Sequence, residues 1–209
     1  MNLSQSSAVL APLLIVGLVV AACSTASSSS PAPASPAPPA SPAANASPTA
    51  PPALTETFVS PMNGISVGYP KGWTARAATE KWTTTDWGFD QPTVDIIYDP
   101  SMDDGHLFMS LGSQQLGATT ADKWIADQMA FAECTTPVPI TVDGASGSAC
   151  GDKFAVVSKG DRGYMILLYT SGDEGWLDSV YDRAWFEKIL ATVKLNPAGA
   201  VDAAPSPSP

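Results

Sequence analysis

No charged side chain occurs before Glu56, and between Ser24 and Ala53 the chain holds only Ser, Ala, Pro, Thr and one Asn, Asn45. A tract of this kind lacks the large apolar side chains that would offset the entropy of ordering, so residues 24–53 read as a disordered spacer. Proline biases such a spacer toward polyproline II, at about 3.1 Å per residue. Everything able to build a core therefore lies further on. Residues 54–196 form the candidate for one globular domain, and residues 197–209, ending Pro205-Ser206-Pro207-Ser208-Pro209, read as a disordered tail. That domain contains all 10 basic side chains and all of the 20 acids except Asp202, a net charge of −9. Nucleic acid and anionic lipid headgroups make poor partners for it, because binding them needs clustered Lys and Arg.

Ahead of the spacer, a fifteen-residue apolar run from Ala8 to Ala22 ends in Val20-Ala21-Ala22-Cys23. This junction resembles the lipobox of bacterial lipoproteins. The resemblance implies that residues 1–22 are a signal peptide and that Cys23 becomes the first mature residue, carrying a diacylglyceryl thioether. It also implies an extracytoplasmic protein attached to the membrane through lipid, with each buried methylene contributing about 0.8 kcal/mol. The alternatives are a spanning helix and an ordinary secretory signal with an incidental cysteine. Against the first, the run is interrupted by Pro12 and falls short of the roughly 20 residues that cross a bilayer. Residues 1–7 lack Lys and Arg, so the amino terminus alone supplies the positive charge expected before a signal's apolar region.

With Cys23 assigned to lipid, Cys134 and Cys150 remain as an even pair in a non-cytosolic compartment, and a disulfide between them is expected. A zinc site would need more ligands than one histidine, His106, and no Cys-x-x-Cys provide.

Along the domain, a hairpin is expected from Phe58 through the turn Pro61-Met62-Asn63-Gly64 to Ile65, Val67 and Tyr69, with Trp73 folding back onto it. Trp82, Trp87 and Phe89 then stand among threonines and acids. They read either as caps on a core edge or as a platform on which a sugar could stack. Strands are expected over 94–98 and 107–111, joined by a turn containing Asp99, Asp103 and Asp104. That turn does not fit an EF-hand: with Gly105 in the glycine position, the first ligand position falls on Pro100 and the twelfth on Leu111.

A helix capped by Thr119 or Thr120 should run to about Phe131, with Trp124, Ile125, Met129 and Ala132 at helical spacing. A hairpin turning at Asp143-Gly144 returns the chain toward Cys150. The apolar runs 154–157 and 164–169 should form the middle of a sheet, and a last helix should span about 179–190, with Trp185 and Ile189 on one face.

Gly64-Ile65-Ser66-Val67-Gly68-Tyr69-Pro70-Lys71-Gly72-Trp73, then Arg162-Gly163-Tyr164 opening an apolar strand, then Phe186 to Leu195 closing the domain, together resemble the PsbP-like group of extracytoplasmic domains. The resemblance implies an α+β fold: a central antiparallel β-sheet flanked by helices, as an α/β/α sandwich. It carries over no catalytic residue and does not transfer a photosystem role.

For catalysis the inventory is thin. There is one histidine, no Gly-x-Ser-x-Gly motif, and no free thiol if the disulfide forms. Asp103 and Asp104 are adjacent on a turn and lack the opposed placement of glycosidase carboxylates. A non-catalytic binding or accessory module, without cofactor or metal and with a protein or glycan partner, is therefore expected. The alternatives are a receptor for envelope polysaccharide or a small solute, using Trp82, Trp87 and Phe89, and after that a hydrolase.

Overall fold

A computed structural model of the chain describes residues 50–102, 105–151, 153–171 and 176–202. The apolar leader, Cys23, most of the spacer, Asp103, Asp104 and the tail from residue 203 lie outside the described residues. The elements run β1 (Leu54–Val59), β2 (Asn63–Pro70), β3 (Thr74–Arg76), β4 (Asp95–Tyr98), β5 (Leu107–Gln115), α1 (Ala121–Phe131), β6 (Val138–Val142), β7 (Ala145–Cys150), β8 (Phe154–Lys159), β9 (Arg162–Thr170), α2 (Trp176–Val180), α3 (Arg183–Thr192) and β10 (Lys194–Ala200).

Seven strands form the main sheet in the order β3-β4-β5-β9-β8-β7-β6, and every pairing in it is antiparallel. The two most apolar strands, β8 and β9, sit at and beside its centre, as their continuous apolar runs predict. Successive side chains in a strand point to opposite faces, and the sheet uses this to build two cores. Leu107, Met109 and Leu111 of β5, Ala155 and Val157 of β8, and Tyr164, Ile166 and Leu168 of β9 face α2, α3 and a second sheet. Phe108, Phe154, Val156 and Met165 face the other way, toward α1 and the loop carrying Trp82. The chain is thus an α+β domain whose central antiparallel sheet is covered on both faces.

The second sheet has three strands, β1-β2-β10, with the expected hairpin as β1 and β2. Its third member moves the domain boundary. The limit expected at residue 196 falls inside β10, which pairs Leu195 with Ile65 and Ala200 with Asn63. Asn196-Pro197 looks like a terminator. On an edge strand, however, a residue without N–H can face outward, and a register shift between Leu195 and Ala200 absorbs the irregularity. The single helix expected over 179–190 is likewise two, α2 and α3. Asp182 takes an extended conformation between them, and its side chain accepts from the Trp185 N–H, starting α3 afresh. At α1, Thr120 is the N-cap and accepts from the Lys123 N–H. Its buried side chains are Trp124, Gln128 and Met129; Gln128 is buried where the helical pattern had not placed it.

Two glycines in the main sheet act as seats for tryptophans. A Cβ added at Gly112 on β5 would lie 2.7 Å from Cγ and Cδ2 of Trp82, and one at Gly163 on β9 would lie 2.7 Å from the far edge of the Trp124 ring. The two indoles meet edge to face, 6.5 Å apart. Gly112→Ala should cost about 1–3 kcal/mol by overpacking, because the clash is at the root of a buried ring that cannot swing aside. Gly88→Ala, where an added Cβ meets only Gln91 at 3.6 Å, serves as the near-neutral control. Urea midpoints of the two variants check the difference; equal midpoints would show that the ring is free to move.

Candidate functional site

The aromatic stretch expected either to cap the core or to bind divides between the two roles. Trp82 belongs to the core: it is 4% exposed, it lies over Gly112, and its Nε1–H donates to the Asp86 carbonyl at 2.7 Å. An indole enclosed in this way offers no face to a ligand, so Trp82 leaves the candidate set. Trp87 and Phe89 are half-buried and line an open cleft of about 460 Å³.

Three segments build that cleft. The loop 87–90 gives Trp87, Phe89 and Asp90; the start of β5 gives His106 and Phe108; the end of β9 and the residue after it give Leu167, Tyr169 and Ser171. Strand pairing sets Phe108 directly opposite Tyr169. Their rings lie 5.0 Å apart and 32° from parallel, an offset stack in which Phe108 is buried. Phe89 meets Phe108 edge on at 5.4 Å and Tyr98 edge on at 5.1 Å. Trp87 is gripped between Phe154 and Phe131, each with its ring centroid 4.9 Å away. Tyr169 is the open end, at 41% exposure. The Arg76 guanidinium stands 5.2 Å from the Phe89 ring centroid and donates to the Phe89 carbonyl.

The sequence reading missed Phe108, Leu167 and Tyr169, all assigned only to strands. Period two held the clue: Leu167 and Tyr169 share a face with Met165 and oppose the face of Tyr164, Ile166 and Leu168. His106 is exposed and lines the cleft, while its carbonyl accepts from the Ser171 N–H at 2.9 Å, fixing the rim. Cys134 and Cys150 are bonded to each other with their Cα atoms 5.7 Å apart, and they pack against the same core cluster as Trp87 and Phe89. In the Asp99 turn, one carboxylate oxygen accepts from both the N–H and the hydroxyl of Ser101. Among the described residues there is no group of three or more His, Cys, Asp or Glu able to hold a metal ion.

A second polar assembly lies inside the protein, where the small sheet meets the large one. Asn63 of β2 donates to Asp95 of β4 at 2.8 Å and accepts from the Ser113 N–H of β5 at 3.0 Å. The Ser113 hydroxyl donates to the Asn63 carbonyl and accepts from Arg162 Nη1 at 2.8 Å, and Arg162 Nη2 is paired with Asp202. Burial pushes the Asp95 carboxyl above the usual range, against the pull of hydrogen bonds from Asn63, Ser60 and the Ala78 N–H. At the β6–β7 turn, Asp143 is held well below the usual range by the Leu195 N–H and by Lys159, with Lys194 also paired to it. Lys153 and Thr170 lower Asp178. Burial raises Tyr164, and it pushes Tyr181 up to about 12.

No family model matches the chain, and no curated protein matches it. Among solved structures, the solution structure of cyanobacterial PsbP (CyanoP) from Synechocystis sp. PCC 6803 is similar with a TM-score of 0.43 and 12% identity, over 67% of this chain and 91% of that one. A crystal structure from Bacteroides thetaiotaomicron VPI-5482 is similar with a TM-score of 0.40 and 13% identity, over 69% of this chain and 49% of that one. Both likenesses concern the fold and assign neither a residue nor a ligand.

Proposed function

We propose that this protein is a lipid-anchored extracytoplasmic binding module, held to the membrane through Cys23, standing off on the 24–53 spacer, and using the Trp87–Tyr169 cleft as its ligand site. The observation that carries the binding reading is the convergence of Trp87, Phe89, Phe108 and Tyr169 on one open cleft with a few polar groups at its rim. Its volume of about 460 Å³ lies within the roughly 300–1,000 Å³ usual for small-ligand sites. A non-catalytic role is supported by the sequence, which offers one histidine and no Gly-x-Ser-x-Gly motif. The acidic balance supports partners other than nucleic acid. The lipid anchor is supported by the Val20-Ala21-Ala22-Cys23 junction.

The test uses the full chain purified from envelope. Intact mass should show Cys23 lipidated, and Cys23→Ala should be released or remain unprocessed; an unlipidated wild type retaining residues 1–22 would remove the anchor. A soluble envelope extract should raise the melting temperature of the wild type but not that of Tyr169→Ala, each protein being compared with its own unliganded melt because the substitution also removes a ring packed on Phe108. An equal rise in both proteins, or none in either, would overturn the cleft as the binding site.

A further inference from the structure

We propose that the cleft takes a neutral pyranose oligosaccharide, with a sugar ring stacked on the open face of Tyr169 and its hydroxyls bonded to Asp90, His106 and Ser171. This rests on the reading of the cleft as a binding site and assigns the chemical class of its occupant.

The exposed ring is the first argument. Phe108, 3% exposed, backs Tyr169 in an offset stack, so Tyr169, 41% exposed, presents one braced aromatic face instead of a closed box. A pyranose offers such a face a patch of C–H groups on one side of its ring, while its hydroxyls project around the edge. The edge of this cleft carries matching groups: a carboxylate at Asp90, an imidazole at His106 and a hydroxyl at Ser171. A purely hydrocarbon ligand would leave all three unused and partly desolvated.

Charge excludes the other polar classes. Among the described residues Asp90 is the one Asp, Glu, Lys or Arg lining the cleft, the domain is acidic, and the nearby Arg76 is already engaged by the Phe89 ring and carbonyl, so a phosphate, sulfate or uronate would meet net repulsion. A quaternary ammonium would be drawn to Asp90 and to ring faces. Yet Phe89 already has the Arg76 guanidinium at 5.2 Å, fixed by its bond to the Phe89 carbonyl, and a second cation at that ring would meet a like charge. The remaining rings contact one another edge on or in an offset stack and enclose no cage. What fits an open aromatic face with hydrogen-bonding groups at its rim, and tolerates both the carboxylate and the nearby guanidinium, is a neutral polyol ring.

The experiment titrates the full chain with cellotriose, maltotriose and N,N′,N″-triacetylchitotriose, and separately with choline chloride, by calorimetry. At least one trisaccharide should bind. Tyr169→Ala should weaken it by about tenfold or more, while Tyr169→Phe, which keeps the ring, should restore binding to within about threefold. Asp90→Asn should keep most of the affinity, since an amide still accepts from a hydroxyl and a neutral sugar gains nothing from the net charge. Choline binding that Asp90→Asn abolishes would overturn the sugar assignment and leave the cleft as a binding site. So would an envelope extract whose Tyr169-dependent melting shift survives both periodate, which cleaves vicinal diols, and lysozyme digestion, which cuts the 4-linked 2-acetamido sugars that periodate spares. Failure of all three trisaccharides together with a shift resistant to both treatments overturns the class alone; absence of any Tyr169-dependent shift overturns the underlying binding reading.

Discussion

Arg162→Ala should lower the stability of the folded chain by about 3 kcal/mol, the low end of the range for removing one partner of a buried ion pair. Arg162 is 1% exposed and joins three things at once: its own strand β9, the Ser113 hydroxyl on β5, and Asp202 just beyond β10. Through Ser113 the network continues to Asn63 and Asp95, so it also ties β2 to β4. Removing the guanidinium leaves the Ser113 oxygen without its charged donor and Asp202 without its cation. The low end of the range applies because the Asp202 side chain, 21% exposed, can recover some hydration. Urea denaturation of the wild type, Arg162→Ala and Arg162→Met separates the contributions. Methionine retains much of the buried stem, so the difference between the two variants reports packing, and the difference between Arg162→Met and the wild type reports charge and hydrogen bonds. A loss for Arg162→Ala below about 1 kcal/mol, the size of a surface ion pair, would contradict the assignment of this pair to the joint between the sheets.

Replacing both Cys134 and Cys150 with serine should also cost about 3 kcal/mol, the value the chain-entropy relation gives for a closed loop near the 16-residue separation of this bond. The bond ties the segment after α1 to the end of β7, and α1 supplies one cover of the core on which Trp87 rests. The wild type treated with reductant should show the same fall in denaturation midpoint as the double variant. Retention of the wild-type midpoint by both would mean that the hairpin and helix hold this corner unaided. Peptide mapping without reductant provides the covalent check, with the Cys134 and Cys150 peptides expected as one linked species.

Much of the fold could be read from local pattern, because the elements concerned carry their own signals. The runs at β8 and β9 are continuous and apolar, Thr120 stands where a helix cap should, and Asp143-Gly144 punctuates a hairpin. What escaped depends on contacts distant in sequence. Asn196-Pro197 looks like a terminus until β2 is present as a partner for β10. Arg162 looks like one more turn residue, since its acid partner lies 40 residues away in a segment read as tail. The same holds for the candidate site. Trp82 and Trp87 are alike in their sequence surroundings, and they part only because Gly112, on another strand, leaves room for one ring to lie flat inside. Tyr169 was legible in principle, from the parity of its strand, but the apolar run around it masked the alternation.

The attachment of β1 has a mechanical consequence. Any pull arriving through the residues before Ala50 enters the domain at the Pro52 carbonyl, bonded to the Trp185 indole at 3.3 Å, and then at Leu54, which lies opposite Pro70, a residue with no N–H to give. β1 is held by β2 on one side only. Tension would therefore load its bonds in succession and peel this outermost strand first, whereas β5 and β9, which carry the rings of the cleft, belong to the other sheet. Under strain the molecule has a sacrificial strand: it can lengthen on its amino-terminal side and absorb work while the aromatic cleft stays intact.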